Sequence, residues 1–485
     1  MGVAFLLCVF IFIPTLGAAV EYQGRIDTRY QLQTGDNATD QDIYQYHYLG
    51  LYFSDKLSFE WYGGARKDLN GTINSVSATG EEKTDIAFRG LPDAVNKDQS
   101  LEYRIYTAYL KYNTDKYGGL IGRYNPYEYD FSQFDGIMLW GKPFNWLRVE
   151  TFSGKPWHYN YIGNFKNYWG EGEYLIGAGA DFLLPDQGLR FFLRYLFLRE
   201  LTQTDSLIGE TRDDFLSSDH VTKAKVTYNY AHWLRTGLTT SFLDTDPRYV
   251  RGWASGDIDK LLLNYNFEYY MQLMDISDLG DRLTQFSSIL TASHPYLRTA
   301  VDLSKSFADV LNWTGTGNDI SLELRYEHRQ PTDKDDESQL NPQYNMLSIG
   351  SNVSLSNSWF LQVFYEFILT SGVKNDIHTV GGEIAKKWEK IKLQLGSSYY
   401  VNKFETNYTQ TAIEDEFFAQ EYYLKCKWSL LKSVDMSFKT SYEVAELASL
   451  TSTDKINDVT AVEMTEIIDN PRPYFTFDFR VGYKF

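Results

Sequence analysis

Arg25, Asp27 and Arg29 stand two residues apart near the start of the chain, and Asp478 and Arg480 repeat that spacing near its end. A spacing of two puts side chains on one face of a strand, so each set reads as a row of charges facing one way. The polar faces of the other alternating segments add Arg104, Arg148, Glu150, Arg190, Arg194, Glu323, Arg325, Glu327 and Lys439, with Glu366, Lys392, Lys425 and Lys427 as further members. Guanidinium forks match carboxylate and phosphate, so such a wall would attract anionic or zwitterionic hydrophilic solutes. The competing reading is that these charges pair across strands for stability. It applies above all to Arg25, Asp27 and Arg29, which would meet Asp478 and Arg480 if the first and last strands are neighbours.

Covalent chemistry finds little support. The seven histidines (His47, His158, His220, His232, His294, His328 and His378) have no Ser or Asp neighbour at a catalytic spacing, and no His is followed closely by Ser-Asn-Gly. No Cys or His pair suggests zinc, and no Gly-rich loop ends in Gly-Lys-Ser. Asp333 to Glu337 lacks the glycine of a calcium-binding loop. The glycines of IGAGADF, Ile176 to Phe182, read as strand kinks. The expectation is a protein without catalytic residues, metal or cofactor.

The elements that must position the charges are strands. Tyr22 to Leu32, Leu57 to Arg66, Ile320 to Glu327, Trp359 to Leu369, Val434 to Val444 and Tyr474 to Phe485 all alternate apolar and polar residues. Each is about as long as the 9–11 residues with which a tilted strand crosses a bilayer. Aromatics make up 16% of the 485 residues while the hydrophobic fraction is only 43%, which suits strands that are each half apolar.

The connections alternate in length. Short turns are expected at Ser54 to Lys56, Leu184 to Gly188, Ser356 to Ser358, Trp388 to Lys390 and Leu431 to Ser433. Long polar loops are expected at Asp68 to Ser100, Leu201 to Asp219, Arg329 to Gln343, Glu405 to Glu416 and Ala445 to Pro473. This predicts an all-β fold: a single transmembrane antiparallel β-barrel of about 18 to 22 strands, with short periplasmic turns and long extracellular loops. Asp135 to Gly141 and Leu283 to Pro295 are the weakest strand candidates. A soluble propeller or solenoid is the rival, but neither a fixed repeat period nor a blade signature occurs.

Residues 1–19 carry the one long apolar run, VAFLLCVFIFIPTLG, followed by Ala18 and Ala19. They read as a cleaved secretory signal peptide, short for a membrane anchor, although no Lys or Arg precedes the run. Residues 20–485 would then form the barrel. Cys8 falls within the signal, which leaves Cys426 alone and no disulfide framework. Export without disulfides fits a bacterial envelope.

With Phe477, Phe479, Val481, Tyr483 and Phe485 on one face of its last strand, the chain resembles bacterial outer-membrane β-barrel proteins of the porin-like kind. The resemblance implies that these five residues are the signal read by the barrel assembly machinery, and that the protein resides in the outer membrane of a Gram-negative bacterium among lipid and lipopolysaccharide. A shorter stretch, GRYNPYEYDFSQFDGIML from Gly122 to Leu139, resembles the Gly-Arg and Phe-Asp-Gly spacing of alginate-export-like barrels. That likeness implies an Arg-lined lumen passing acidic polysaccharide. Read from its residues alone, the stretch is a strand, a loop and a strand with Pro126 and Gly136 as turn residues.

The functional expectation is a porin-like channel for hydrophilic, anionic solutes. Net charge is nevertheless −18, and the acidic excess lies in the expected loops, where Glu446, Asp454, Asp458, Glu463, Glu466 and Asp469 oppose Lys455 and Arg472. Such loops would bind divalent cations bridging lipopolysaccharide, repel anions at the mouth, or simply be solvated. A barrel of about 22 strands is normally plugged, so loops Asp68 to Ser100 and Ala445 to Pro473 are candidates to fold inward. The alternative from another class is a sheath around a partner, such as a multihaem cytochrome of an electron conduit. The chain itself has no Cys-x-x-Cys-His.

Overall fold

The computed structural model describes residues 20–34, 39–69, 101–129, 133–156, 172–203, 214–274, 295–307, 319–333, 343–355, 358–371, 375–408, 411–445 and 472–485. Residues 1–19, the expected signal peptide, lie outside this set, as do Leu283 to His294 and the loops 70–100 and 446–471.

Alternation produces strands throughout. In order they are β1 (Glu21–Thr34), β2 (Thr39–Tyr52), β3 (Leu57–Asp68), β4 (Leu101–Asn113), β5 (Tyr117–Tyr124), β6 (Phe134–Phe144), β7 (Leu147–Pro156) and β8 (Tyr174–Leu184). Next come β9 (Leu189–Gln203), β10 (Asp214–Ala231), β11 (Leu234–Leu243), β12 (Asp246–Ile258), β13 (Leu263–Gln272), β14 (Tyr296–Phe307) and β15 (Asp319–Pro331). The series ends with β16 (Gln343–Leu355), β17 (Trp359–Ser371), β18 (Asn375–Lys387), β19 (Ile391–Tyr408), β20 (Thr411–Leu431), β21 (Val434–Ala445) and β22 (Arg472–Lys484). Each strand pairs antiparallel with the next, and β1 pairs with β22, so the 22 strands close into one barrel. Asp135 to Gly141 is a strand, part of β6.

Turn chemistry sets one end. The Ser54 hydroxyl accepts the backbone N–H of Lys56 at 3.3 Å and of Leu57 at 3.1 Å, fixing the β2–β3 turn. Between β8 and β9 a 3-10 turn, Pro185–Gln187, ends at Gly188, whose φ of +64° suits a residue without Cβ. Connections at this end are short except for residues 308–318 between β14 and β15.

At the other end two expected loops need correction. Glu405 to Glu416 is the tip of a hairpin: β19 runs to Tyr408 and β20 starts at Thr411, with Glu405 opposite Glu414 and Lys403 opposite Glu416. Likewise β9 extends to Gln203 and β10 begins at Asp214, which shortens the loop expected from Leu201 to Asp219. Charge density suggested loops, but a strand of 18 or 21 residues is longer than the bilayer needs.

Register separates two faces. Ile176, Leu193, Val363 and Leu395, at 41–56% exposure, belong to an apolar outer face. The inner face carries the charged rows and, over β5 to β11, a buried cluster that includes Phe134, Phe152, Leu175, Leu196 and Val221.

Candidate functional site

The seam between β22 and β1 gathers the two terminal charge rows. Arg29 stands opposite Arg480 and Asp27 opposite Gly482, so the ion pairs form diagonally. Arg480 reaches Asp27 at 3.2 Å, and Arg29 pairs with Asp478. Arg25 bonds Asp27 at 2.7 Å and Asp435 of β21 at 3.1 Å. A Cβ at position 482 would lie 2.7–2.9 Å from Asp27, Asp435 and Arg25, so the glycine makes room for this cluster. Lys439 of β21 pairs with Glu421 of β20 at 2.9 Å.

A second cluster occupies β7 to β9. Arg194 has a side chain only 4% exposed, and it binds Asp181 and Glu128 and lies 3.4 Å from Glu150. Arg148 adds a contact of 3.1 Å to Glu150. The 3-10 turn Tyr127–Tyr129, in the β5–β6 connection, folds onto this wall. Tyr129 donates its hydroxyl to Glu150 at 2.9 Å and meets Phe152 edge-on at 4.7 Å. Burial first, then the Glu150 carboxylate, push the Tyr129 hydroxyl up in pKa, so it stays a donor. Gly177 and Gly179 vacate space: a Cβ at 177 would strike the Phe152 ring, and one at 179 the Tyr129 hydroxyl.

A third cluster spans β12 to β16. Glu268 accepts from Arg251 at 2.5 Å and from Arg298. Glu327 takes Arg325 at 2.9 Å and the Tyr344 hydroxyl at 2.6 Å, while Glu323 accepts from Asn352 at 2.8 Å. Arg190 in β9 stands opposite Thr227 on the face that also carries Arg194. Arg104 lies in β4 opposite Gly64, and its side chain is outside the described residues.

Sequence reasoning missed Glu128 and Tyr129, because their role comes from a turn folding inward rather than from alternation. It also missed Arg251, Glu268, Arg298 and Asp302, the last 3.7 Å from Arg325, because their neighbours on the same strand face are Tyr, Trp, Asn, Ala or Ser rather than an unbroken run of charges. Arg123 and Asp135 bind each other through two contacts of 2.7 Å. Their register puts them on the face opposite to Phe134 and Phe152, so Arg123 does not extend the Arg-lined lumen that the alginate-export-like spacing implies.

On the outer face, Phe477 stands opposite Leu32, Phe479 opposite Tyr30, Val481 opposite Thr28 and Tyr483 opposite Ile26. Phe485 exchanges backbone hydrogen bonds of 2.9 and 3.0 Å with Gly24. Its ring fills the space that a Cβ at position 24 would need and packs at the edge of a cluster of Leu49, Leu51 and Trp61.

No protein-family model matches the chain, and no curated protein matches it. Solved structures similar in chain trace include OccAB3 of Acinetobacter baumannii, at 9% identity and TM-score 0.42, covering 96% of this chain and 100% of that one. The outer membrane protein OpdK of Pseudomonas aeruginosa is similar at 6% identity and TM-score 0.39, covering 96% and 99%. OprD of the same organism is similar at 9% identity and TM-score 0.40, covering 96% and 97%. Superpositions this loose say nothing about what passes through the present barrel.

Proposed function

We propose that the chain is a porin-like channel of a Gram-negative outer membrane that passes hydrophilic, anionic solutes. The observation that carries this is the division of faces in a closed tube, with exposed Leu, Ile and Val outside and charged rows inside. The sign of the preferred solute follows from the inner wall beside Arg194, where Lys223, Lys225 and Arg251 with Arg194 surround a cavity of about 390 Å3 that a single carboxylate, Glu128, shares. At this cavity the cations outnumber the carboxylate, against the acidic balance of the whole chain, and the wall is what a permeating ion meets.

Residues 1–19 serve as the export signal, and the outward face of β22 serves as the mark read by the assembly machinery. The acidic loops then meet lipopolysaccharide through bridging divalent cations. Reconstitution of the purified barrel in a planar bilayer should give discrete conductance steps, with a zero-current potential in a salt gradient that favours anions. A folded barrel that conducts nothing would sink the proposal. Stoichiometric copurification of a haem protein from native membranes would replace it with the sheath reading.

A further inference from the structure

The inner wall over β19 to β21 sets like charges against each other. Lys392 stands opposite Lys427 in the β19–β20 register, and Lys425 stands opposite Lys439 in β20–β21. Like charges directly opposite across strands are destabilising. The seam next to them behaves differently, because its cations are matched: Arg480 and Arg25 bind Asp27, Arg29 binds Asp478, and Lys439 binds Glu421. Among the described residues neither Lys425 nor Lys427 makes an ion pair within 4 Å; Lys425 lies over the Tyr423 ring at 4.3 Å and feels the Glu383 carboxylate from farther off.

Both lysines line a cavity of about 440 Å3, a size within the roughly 300–1,000 Å3 of small-molecule pockets. Arg29, Arg480, Asp27 and Asp478 of the seam line it as well, the two carboxylates already bound to the two arginines, and beyond them the wall is aromatic. Tyr46 and Tyr62 line it, their rings stacked at 6.5 Å, and Tyr106 continues the row with its ring 5.1 Å from that of Tyr62. We propose that this cavity is a binding site for a small ring-bearing organic anion, with Lys425 and Lys427 on its charged group and the Tyr46–Tyr62 row against its ring. An ammonium lacks the planar fork that selects one oxyanion geometry, so carboxylate and phosphate headgroups are both accepted. The site deepens the channel reading and depends on it for access from the membrane mouth.

Saturation-transfer NMR on the detergent-purified full barrel tests the site without any conductance. Benzoate and phenyl phosphate should bind saturably and compete with each other, while acetate and inorganic phosphate bind about tenfold more weakly because they lack the ring. The double variant K425Q/K427Q should weaken benzoate about tenfold, and K425R/K427R should restore it, since charge rather than shape is supplied. Wild-type benzoate affinity in a folded K425Q/K427Q barrel would overturn the proposal. So would failure of phenyl phosphate to displace benzoate from the wild-type protein, a result that needs no variant. A barrel that binds benzoate but conducts nothing would remove the channel reading and leave this site standing.

Discussion

Arg194 is the residue on which the inner wall depends most. Its guanidinium serves Glu128, Asp181 and Glu150 while itself almost wholly buried. Removing one partner of a buried ionic cluster leaves the others unpaired, which costs about 3–5 kcal/mol. Arg194→Ala should therefore lower the urea midpoint of the folded barrel well below that of the parent, read from heat-modifiable gel mobility; an unchanged midpoint would contradict the account. Glu128 differs, because its side chain is 64% exposed. Glu128→Gln should change stability by less than about 1 kcal/mol. It should still alter open-channel conductance, because it frees one tie of the turn Tyr127–Tyr129. Arg194, Glu150 and Arg148 were legible from period-two spacing alone. Their partners Glu128 and Tyr129 were not, because a turn that folds onto a wall leaves no periodic trace.

At the scale of elements, β22 and β1 were legible as strands and as partners, since both carry strict alternation and complementary charge. What alternation could not convey was the fit of Phe485 into the gap at Gly24. Two interventions probe that fit. Gly24→Leu places a side chain where the ring lies, and deletion of Phe485 removes the ring together with both backbone hydrogen bonds. Each should reduce the amount of folded barrel in the outer membrane much more than deletion of one residue from loop 446–471, measured by heat-modifiable mobility of membrane fractions. Equal yields would count against it. The long hairpin of β19 and β20 was misread for a different reason. Charge density alone does not separate a strand from a loop, and a hairpin tip rich in Glu and Asp reads like either.

For the whole molecule, the sequence bounded the strand number and the alternating connections but not the final count. The ambiguity lay in segments such as β6, whose Gly136 and Gly141 dilute the pattern. The proposed selectivity belongs to this scale, since it sums over the wall. Screening shortens from about 10 Å at 0.1 M salt to about 3 Å at 1 M. The anion preference should shrink accordingly when the same salt ratio is imposed at higher concentration, read as a zero-current potential falling toward zero. A potential independent of concentration would assign selectivity to direct ligation instead.

The seam has one more consequence. Among the described residues, only the pairing of β22 with β1 joins strands distant in the chain, and its ion pairs tie residues 449 and 453 positions apart. Parting any other two neighbours leaves them leashed by a covalent connection, so little chain entropy is released. Parting β1 from β22 frees both edges at once, and the entropy regained grows with the logarithm of the span, about 0.6 kcal/mol for each doubling. The tube is thus a ribbon of local hairpins held shut by a single clasp, and the lifetime of that clasp sets how long the barrel stays a barrel.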